Sequence, residues 1–442
     1  MKKIVLFVLM LIPLWLAAQD MPFTVRAKTR FASSGMIGYE TIDSLTFYRA
    51  RLIQEFKFWK IGIGLDLDFL FDKDYRLRVS DWDHWENVLD KFYYIKFANR
   101  RDPVYVHLGG FPDLTIGNGL IMKKYNNMQL YPELRNPGLM IGANPNIPTS
   151  PSFELFTSNL KKNEIMSFSA RFRPMPDSTL AVIDEMILGL SLAIDRNQFG
   201  NIKYVTADSL NSDIALLSSR PATVIGAAIT LPVYRTDQYT LGTYAEFAHI
   251  AGLGSGAILP GVYADFKFMK LNLEYRTYGR QFTPAFFDED YEEERGYFID
   301  SLAVFRTKED YVSSLNPATG INGIVEGNYK DRVKASVTWQ NIIGDDYKYG
   351  KSLWLKLWVD TQYKRLENFS LTYSRTNQER LSIARVNEPN TKMGLSMTFR
   401  VAKRWYVIGK YSESFKDRNG DGEVNWLKET KHSGGLGVKY LH

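Results

Sequence analysis

The 442-residue chain contains no cysteine and only five histidines. Without cysteine, disulfides, thiolate metal sites and a cysteine nucleophile are all excluded. The histidines are His84, His107, His249, His432 and His442, and the chain holds neither an HExxH nor a GxSxG motif. His107 and His249 fall in predicted strands, but no local spacing supports a Ser–His pair, so the chain is read as a non-enzyme. After residue 20 no apolar run approaches the ~20 residues that a transmembrane helix requires. Formal charge is +6, or +4 once Lys2 and Lys3 are removed with a leader. That small, scattered excess gives no footprint for nucleic acid.

What is present begins with "MKKIVLFVLMLIPLWLAAQD". Two lysines, a short apolar run and Ala17-Ala18 predict a secretory signal over 1–18, cleaved near Ala18. The competing reading, a membrane anchor, needs a longer apolar run. Residues 19–442 show no linker or composition break and are expected to form one domain.

Within that domain side chains alternate with a period of two. In "IGIGLDLDFLF" (61–71), Ile61, Ile63, Leu65, Leu67 and Phe69 share one face, and Gly62, Gly64, Asp66 and Asp68 the other. "KLNLEYR", "VKASVTWQ", "LWLKLWVDTQ" and "MGLSMTFRV" repeat the scheme. Such segments are strands. At about nine to eleven residues they match a tilted strand crossing a bilayer. A secreted sandwich or propeller is the soluble alternative, although its strands average about five or six residues.

Eighteen strands are expected, within a range of sixteen to twenty. They start at 23–32, 45–58, 61–71, 90–98 and 103–110 and end at 404–413 and 433–442; a strand is also expected at 260–268. "PSFELFTSN" (151–159) is placed in a loop, because a nineteenth strand would put the termini on opposite sides. Short joins such as 59–60, 234–238, 330–331 and 402–403 alternate with mostly long ones such as 72–89, 111–163, 197–222, 280–319 and 414–432.

With the signal ending in Ala18-Gln19, this rhythm and the final "GLGVKYLH", the chain resembles Gram-negative outer-membrane β-barrels, particularly porins. The resemblance implies an all-β, antiparallel, up-and-down transmembrane barrel with short periplasmic turns and long external loops. It also implies a cell outer-membrane location. The implied partners are outer-membrane lipid, lipopolysaccharide and the barrel-insertion machinery, which would read Leu436, Val438 and Tyr440. The sequence sets no oligomeric state.

The polar faces predict a lumen lined by Arg49, Arg51, Glu55, Lys57, Asp66, Asp68, Lys96, Lys270, Glu274, Arg276, Lys356, Asp360 and Arg400. Segment 111–163 is the longest loop. Its glycines and prolines permit a compact path, either inward, with Lys123, Lys124 and Arg135 at a constriction, or outward over the surface. Its "GNG" is no phosphate loop, since no strand–helix unit follows it. "DEDYEEER" (288–295) is read chiefly as a solvated acidic tip, with divalent-cation binding as the alternative.

"DRNGDGEVNWLKE" (417–429) places Asp417, Asn419, Asp421, Glu423 and Asn425 at EF-hand spacing. Lys428 stands where the bidentate glutamate belongs, and strands flank the loop. Weakly bound Ca2+, at about 10⁻⁴–10⁻³ M, is expected as a loop stabiliser, against a plain Asn-Gly and Asp-Gly turn. No other cofactor is expected. Two functions fit: a porin or channel for passive uptake of small hydrophilic solutes, and a closed barrel whose long loops bind or support the surface.

Overall fold

The computed structural model describes residues 31–42, 45–78, 91–130, 134–205, 211–299, 304–346, 350–363, 365–381, 388–415, 424 and 429–441. The wall begins with β1 (Phe31–Ile42), β2 (Leu45–Phe58), β3 (Ile61–Phe71), β4 (Phe92–Phe97) and β5 (Val104–Gly109). Two short strands, β6 (Leu114–Ile116) and β7 (Met122–Tyr125), pair only with each other. The wall resumes with β8 (Gly138–Ala143), β9 (Ser152–Thr157), β10 (Ile165–Phe172), β11 (Ile187–Asp195) and β12 (Ala222–Arg235). It continues with β13 (Tyr239–Ile250), β14 (Ser255–Phe266) and β15 (Met269–Tyr278). A second detached hairpin follows, β16 (Gly296–Ile299) with β17 (Val304–Thr307). The last wall strands are β18 (Ala318–Tyr329), β19 (Val333–Gly344), β20 (Lys351–Tyr363), β21 (Leu366–Gln378), β22 (Thr391–Ala402), β23 (Trp405–Phe415) and β24 (Thr430–Leu441).

Twenty antiparallel strands form one sheet, and pairing of β1 with β24 closes it into a barrel. Closure removes the unpaired edges that a sheet this large would otherwise expose. One end carries the tight joins 59–60, 236–238, 267–268, 330–332 and 403–404; the other carries 72–91, 110–137, 196–221 and 279–317.

The period-two pattern produces the two faces. Along β2, Arg49, Arg51, Ile53 and Glu55 are buried, whereas Leu52 and Phe56 are exposed. Exposed Leu190, Ile225, Phe247, Leu273, Ile321, Val337 and Val438 continue the apolar outer face around the ring. A continuous apolar surface of that extent is not tolerated in water and suits lipid. At the end with tight joins, Phe58, Trp59, Phe268, Tyr329 and Trp405 are exposed, as in an interfacial aromatic girdle.

The strand expected at 23–32 lies, but for its last two residues, outside the described residues, whose first strand is Phe31–Ile42. Two strand expectations need correction. The strand expected at 260–268 begins at Ser255. Residues 151–159 are not loop, because Ser152–Thr157 pairs with both β8 and β10. Its partner "GLMIGA" was equally hidden, being short, glycine-containing and followed by prolines. The two missed strands are neighbours, so adding both preserves the parity and gives twenty strands.

Candidate functional site

The segment between β5 and β8 turns inward. Asn127 organises its bend: its Oδ1 accepts from Phe111 N at 2.7 Å, and its Nδ2 donates to Asn136 O at 2.8 Å and Ser158 O at 3.0 Å. At "GNG", Gly117 (φ +62°) lets the chain lie against β13, where Asn118 N donates to Glu246 Oε2 at 3.0 Å. A Cβ at 117 would stand 2.5 Å from Glu246 Oε1. The glycines therefore serve a tight approach to a carboxylate, and the segment is no phosphate cradle.

The loop between β15 and β18 meets it. Ala285 N donates to Leu120 O at 2.7 Å, Phe287 N to Ile121 O at 3.1 Å, and Lys123 N to Phe287 O at 3.0 Å. Leu120, Ile121, Met122 and Tyr125 from one loop and Phe282, Phe286, Phe287 and Tyr291 from the other form one buried cluster. The cluster includes wall residues Tyr105, Phe156, Val224, Tyr244, Ile258, Tyr278 and Ile342. It therefore spans the wall from β5 to β19. Apolar burial on this scale is the main force drawing the loops inward.

The acidic run 288–295 is not a solvated tip. Glu292 accepts hydrogen bonds from Tyr125 Oη and Asn201 Nδ2. Arg295 pairs with Glu164 at 2.6 Å, Asp195 at 3.3 Å and Glu292 at 3.4 Å, and its own side chain is only 2 % exposed. Tyr291 Oη donates to Asp195 at 3.0 Å. Lys308, at the start of a one-turn helix capped by Thr307 and Asp310, pairs with Asp288 at 2.9 Å. Burial pushes the Glu292 carboxyl above the usual carboxylate range, with Arg295 opposing it. Burial likewise raises Asp288 to about 6, against the opposing pull of Lys308. The acidic run carries Tyr291 inside it and follows Phe286-Phe287; that amphipathic context was the available sign that it packs.

Residues anticipated as lumen lining fall into three groups. At β2–β3, Arg49 chelates Asp68 (2.6–3.0 Å) and Arg51 chelates Asp66 (2.8 Å), while Arg135 reaches Asp66 from the inward loop. Glu55 accepts from Tyr94 at 3.0 Å; Lys96 lies over the Tyr94 ring, and Lys57 pairs with Gly62 in the ladder. Across the barrel, Glu274 pairs with Arg276 and accepts from Tyr244 at 2.6 Å and Asn322 at 2.9 Å. Toward the end with tight joins, Lys270 pairs with Asp265 at 3.1 Å, Arg400 pairs with Glu367 at 2.8 Å, and Asp360 opposes Asn368.

Lys123 and Lys124 part company. Lys124 Nζ sits 4.3 Å over the Trp354 ring, and burial lowers it to about 8. Lys123 Nζ is buried with no hydrogen-bond partner among the described residues; burial, reinforced by Arg276, lowers it to about 7. His249 Nδ1 lies 2.9 Å from Ser255 Oγ as a cross-strand pair closing the β13–β14 hairpin. Asp417, Asn419, Asp421, Glu423 and Asn425 lie outside the described residues.

Three further contacts were not anticipated. Trp354 Nε1 donates to Glu289 Oε1 at 2.8 Å, Lys392 pairs with Asp290, and Lys356 pairs with Asp113 at 2.7 Å. The inward loops therefore touch β3, β13, β20 and β22, which are spaced widely round the ring. Only a segment crossing the interior can reach all of them.

The chain is similar to several solved structures. The siderophore receptor PirA from Pseudomonas aeruginosa is 8 % identical over 95 % of this chain and 82 % of its own, with a TM-score of 0.40. OccK2 (OpdF) from Pseudomonas aeruginosa, solved in complex with glucuronate, is 12 % identical over 93 % and 96 %, with a TM-score of 0.33. Wzi, a carbohydrate-binding β-barrel involved in group 1 capsule assembly in Escherichia coli, is 10 % identical over 93 % and 84 %, with a TM-score of 0.37. These neighbours are outer-membrane β-barrels. At these scores the likeness assigns neither role nor solute. No family model and no curated protein sequence matches the chain.

Proposed function

We propose that the protein is an outer-membrane channel for small hydrophilic solutes, held closed at rest by the two loops that meet inside the barrel. The observation that carries this reading is the join between Leu120–Lys123 and Ala285–Phe287, which packs against the wall from β5 to β19 and is tied by ion pairs to β3, β20 and β22. A barrel of this size has room for an aqueous passage beside such a plug. Lys270, Lys356 and Arg400, exposed on β15, β20 and β22, supply charge of the kind a pore's hydrated lining uses for selectivity. The purified protein is to be reconstituted in a planar bilayer: intermittent conductance is expected, and silence at every salt and voltage overturns the reading.

A second reading has its own observation. The apolar cluster from β5 to β19 is buried continuously across the interior, which suits a permanently closed barrel whose external surface does the work. Leakage of a small sugar from liposomes containing the protein would dismiss it.

Cleavage near Ala18, contact with lipopolysaccharide, insertion by the barrel machinery and weak Ca2+ at Asp417, Asn419, Asp421, Glu423 and Asn425 belong to the same proposal. Recovery of the protein as a soluble periplasmic species would overturn the location.

A further inference from the structure

One patch of the inner wall is built from donors and is covered by the chain's own carboxylates. Trp354 of β20 opposes Ser374 of β21, and Ser374 opposes Lys392 of β22, so indole, hydroxyl and ammonium stand in one row. Directly opposed residues share a face of the sheet. Lys356, two residues along β20, opposes Thr372 on the same face. Neighbouring Leu353 and Leu355 belong to the other face, in a cluster with Tyr373 and Met393.

Each strong donor in the patch holds a loop carboxylate. Trp354 Nε1 donates to Glu289 Oε1 at 2.8 Å, Lys392 pairs with Asp290, and Lys356 Nζ lies 2.7 Å from Asp113 Oδ2. Gln129 Nε2 also donates to Asp290 Oδ1 at 2.8 Å, and Lys124 lies over the indole. The barrel does not require these contacts for closure, which the strand ladder provides. The Lys356 and Asp113 side chains are each 47 % exposed and open to competition first, whereas Lys392 and Asp290, at 17 % and 19 %, lie deeper, though less sealed than Arg295 at 2 %. Water and solutes can compete for partners at the exposure of the first pair.

We propose that Trp354, Ser374, Lys392 and Lys356 form a binding site for small solutes carrying two or more carboxylates, and that Asp113, Glu289 and Asp290 occupy it as internal substitutes. Strands lie about 4.8 Å apart, so Trp354 and Lys392 stand roughly 10 Å apart across β21. The consecutive residues Glu289 and Asp290 bridge that span with two carboxylates. A solute with a single carboxylate replaces one contact and leaves the other closed. One with two or three replaces both, and the loop edge at Glu289–Asp290 is then released. This inference rests on the channel reading for its consequence, though not for the binding itself.

The test uses the full chain, citrate as the polycarboxylate probe, and acetate and sorbitol as controls at matched ionic strength. In planar bilayers citrate is expected to raise the opening frequency of the wild type at least threefold, with acetate and sorbitol much weaker. Glu289→Gln/Asp290→Asn should open frequently without citrate. Lys356→Gln/Lys392→Gln should lose the citrate response while keeping heat-modifiable gel migration as a sign of folding. A citrate response unchanged in the lysine variant overturns the site. Calorimetric titration of citrate into detergent-solubilised protein separates the two readings. Citrate binding that depends on Lys392, in a protein that never conducts, overturns the channel and keeps the site. Absence of binding in both the wild type and the Glu289/Asp290 variant overturns the site whatever the conductance.

Discussion

The plug meets its two walls by different means. From β5 to β19 it is held by aromatic and aliphatic packing, with Phe282, Phe286, Phe287 and Tyr291 fully buried and Arg295 sealed among three carboxylates. The Arg135–Asp66 pair to β3 is likewise sealed, whereas toward β20 and β22 the plug is held by two ion pairs and an indole hydrogen bond, the Lys356–Asp113 pair nearly half exposed. Packed apolar surface and sealed ion clusters separate only at high cost, whereas half-exposed ion pairs contribute little and respond to salt. The first wall is an anchor, and the second is where the plug can part from the barrel.

Breaking the anchor should have the largest effect. Arg295→Ala leaves Glu164, Asp195 and Glu292 buried together without their cation, a change that typically costs about 3–5 kcal/mol. Rapid protease nicking within 279–317 and a persistently raised conductance are expected; a nicking rate equal to that of the wild type would show that Arg295 does not anchor the loop. Tyr125→Phe removes one donor to Glu292 but leaves Asn201 and Arg295 in place. A loss of about 1.5–3 kcal/mol in loop protection is expected, read by hydrogen exchange over 120–125 and 285–292.

Acidity probes the plug at both ends of a window. The folded Lys123 value of about 7 lies below the ordinary ~10.4, so the docked loop binds fewer protons than the released one between those values. Docking is therefore strongest at high pH and weakens as pH falls to about 7. Asp288, raised to about 6 from an ordinary ~3.9, acts in the opposite sense: its contribution is present at low pH and is lost as pH rises through 6. Opening should peak between pH 6 and 7. Lys124, lowered to about 8, acts in the same sense, so Lys123→Met should reduce the alkaline slope without abolishing it and leave the acid side as it is; an unchanged alkaline slope would remove Lys123 from the account.

The smallest effect is expected on the other wall. Lys356→Met breaks a pair whose members are each 47 % exposed, so docking should change by about 1 kcal/mol or less and only at low salt. A loss as large as that of Arg295→Ala would abolish the distinction between the walls.

How much of this was legible follows from the range of each interaction. Alternation along β2, β3 and β20 is a property of adjacent residues, and it sorted Arg49, Arg51, Asp66, Asp68 and Lys356 from their apolar neighbours directly. Short strands broke that legibility: Gly138–Ala143 and Ser152–Thr157 have too few turns of the pleat for a pattern to stand out among prolines and glycines. The acidic run reads as solvated from its charge alone, because the cations that meet it, Lys392 on β22 and Lys308, are distant in sequence or separated from it by the β16–β17 hairpin.

By itself the sequence determined an all-β wall with one apolar and one polar face, closed with its ends on the side of the tight joins, because a two-residue period and the lengths of joins are local. Only the tertiary structure decided that the interior is crossed by two loops and that Glu289 and Asp290 lie against Trp354 and Lys392. Those residues stand about 65 and 102 positions apart in the chain. Contacts of that separation arise when apolar burial draws distant segments into one enclosed space, and no local pattern encodes which partners then meet.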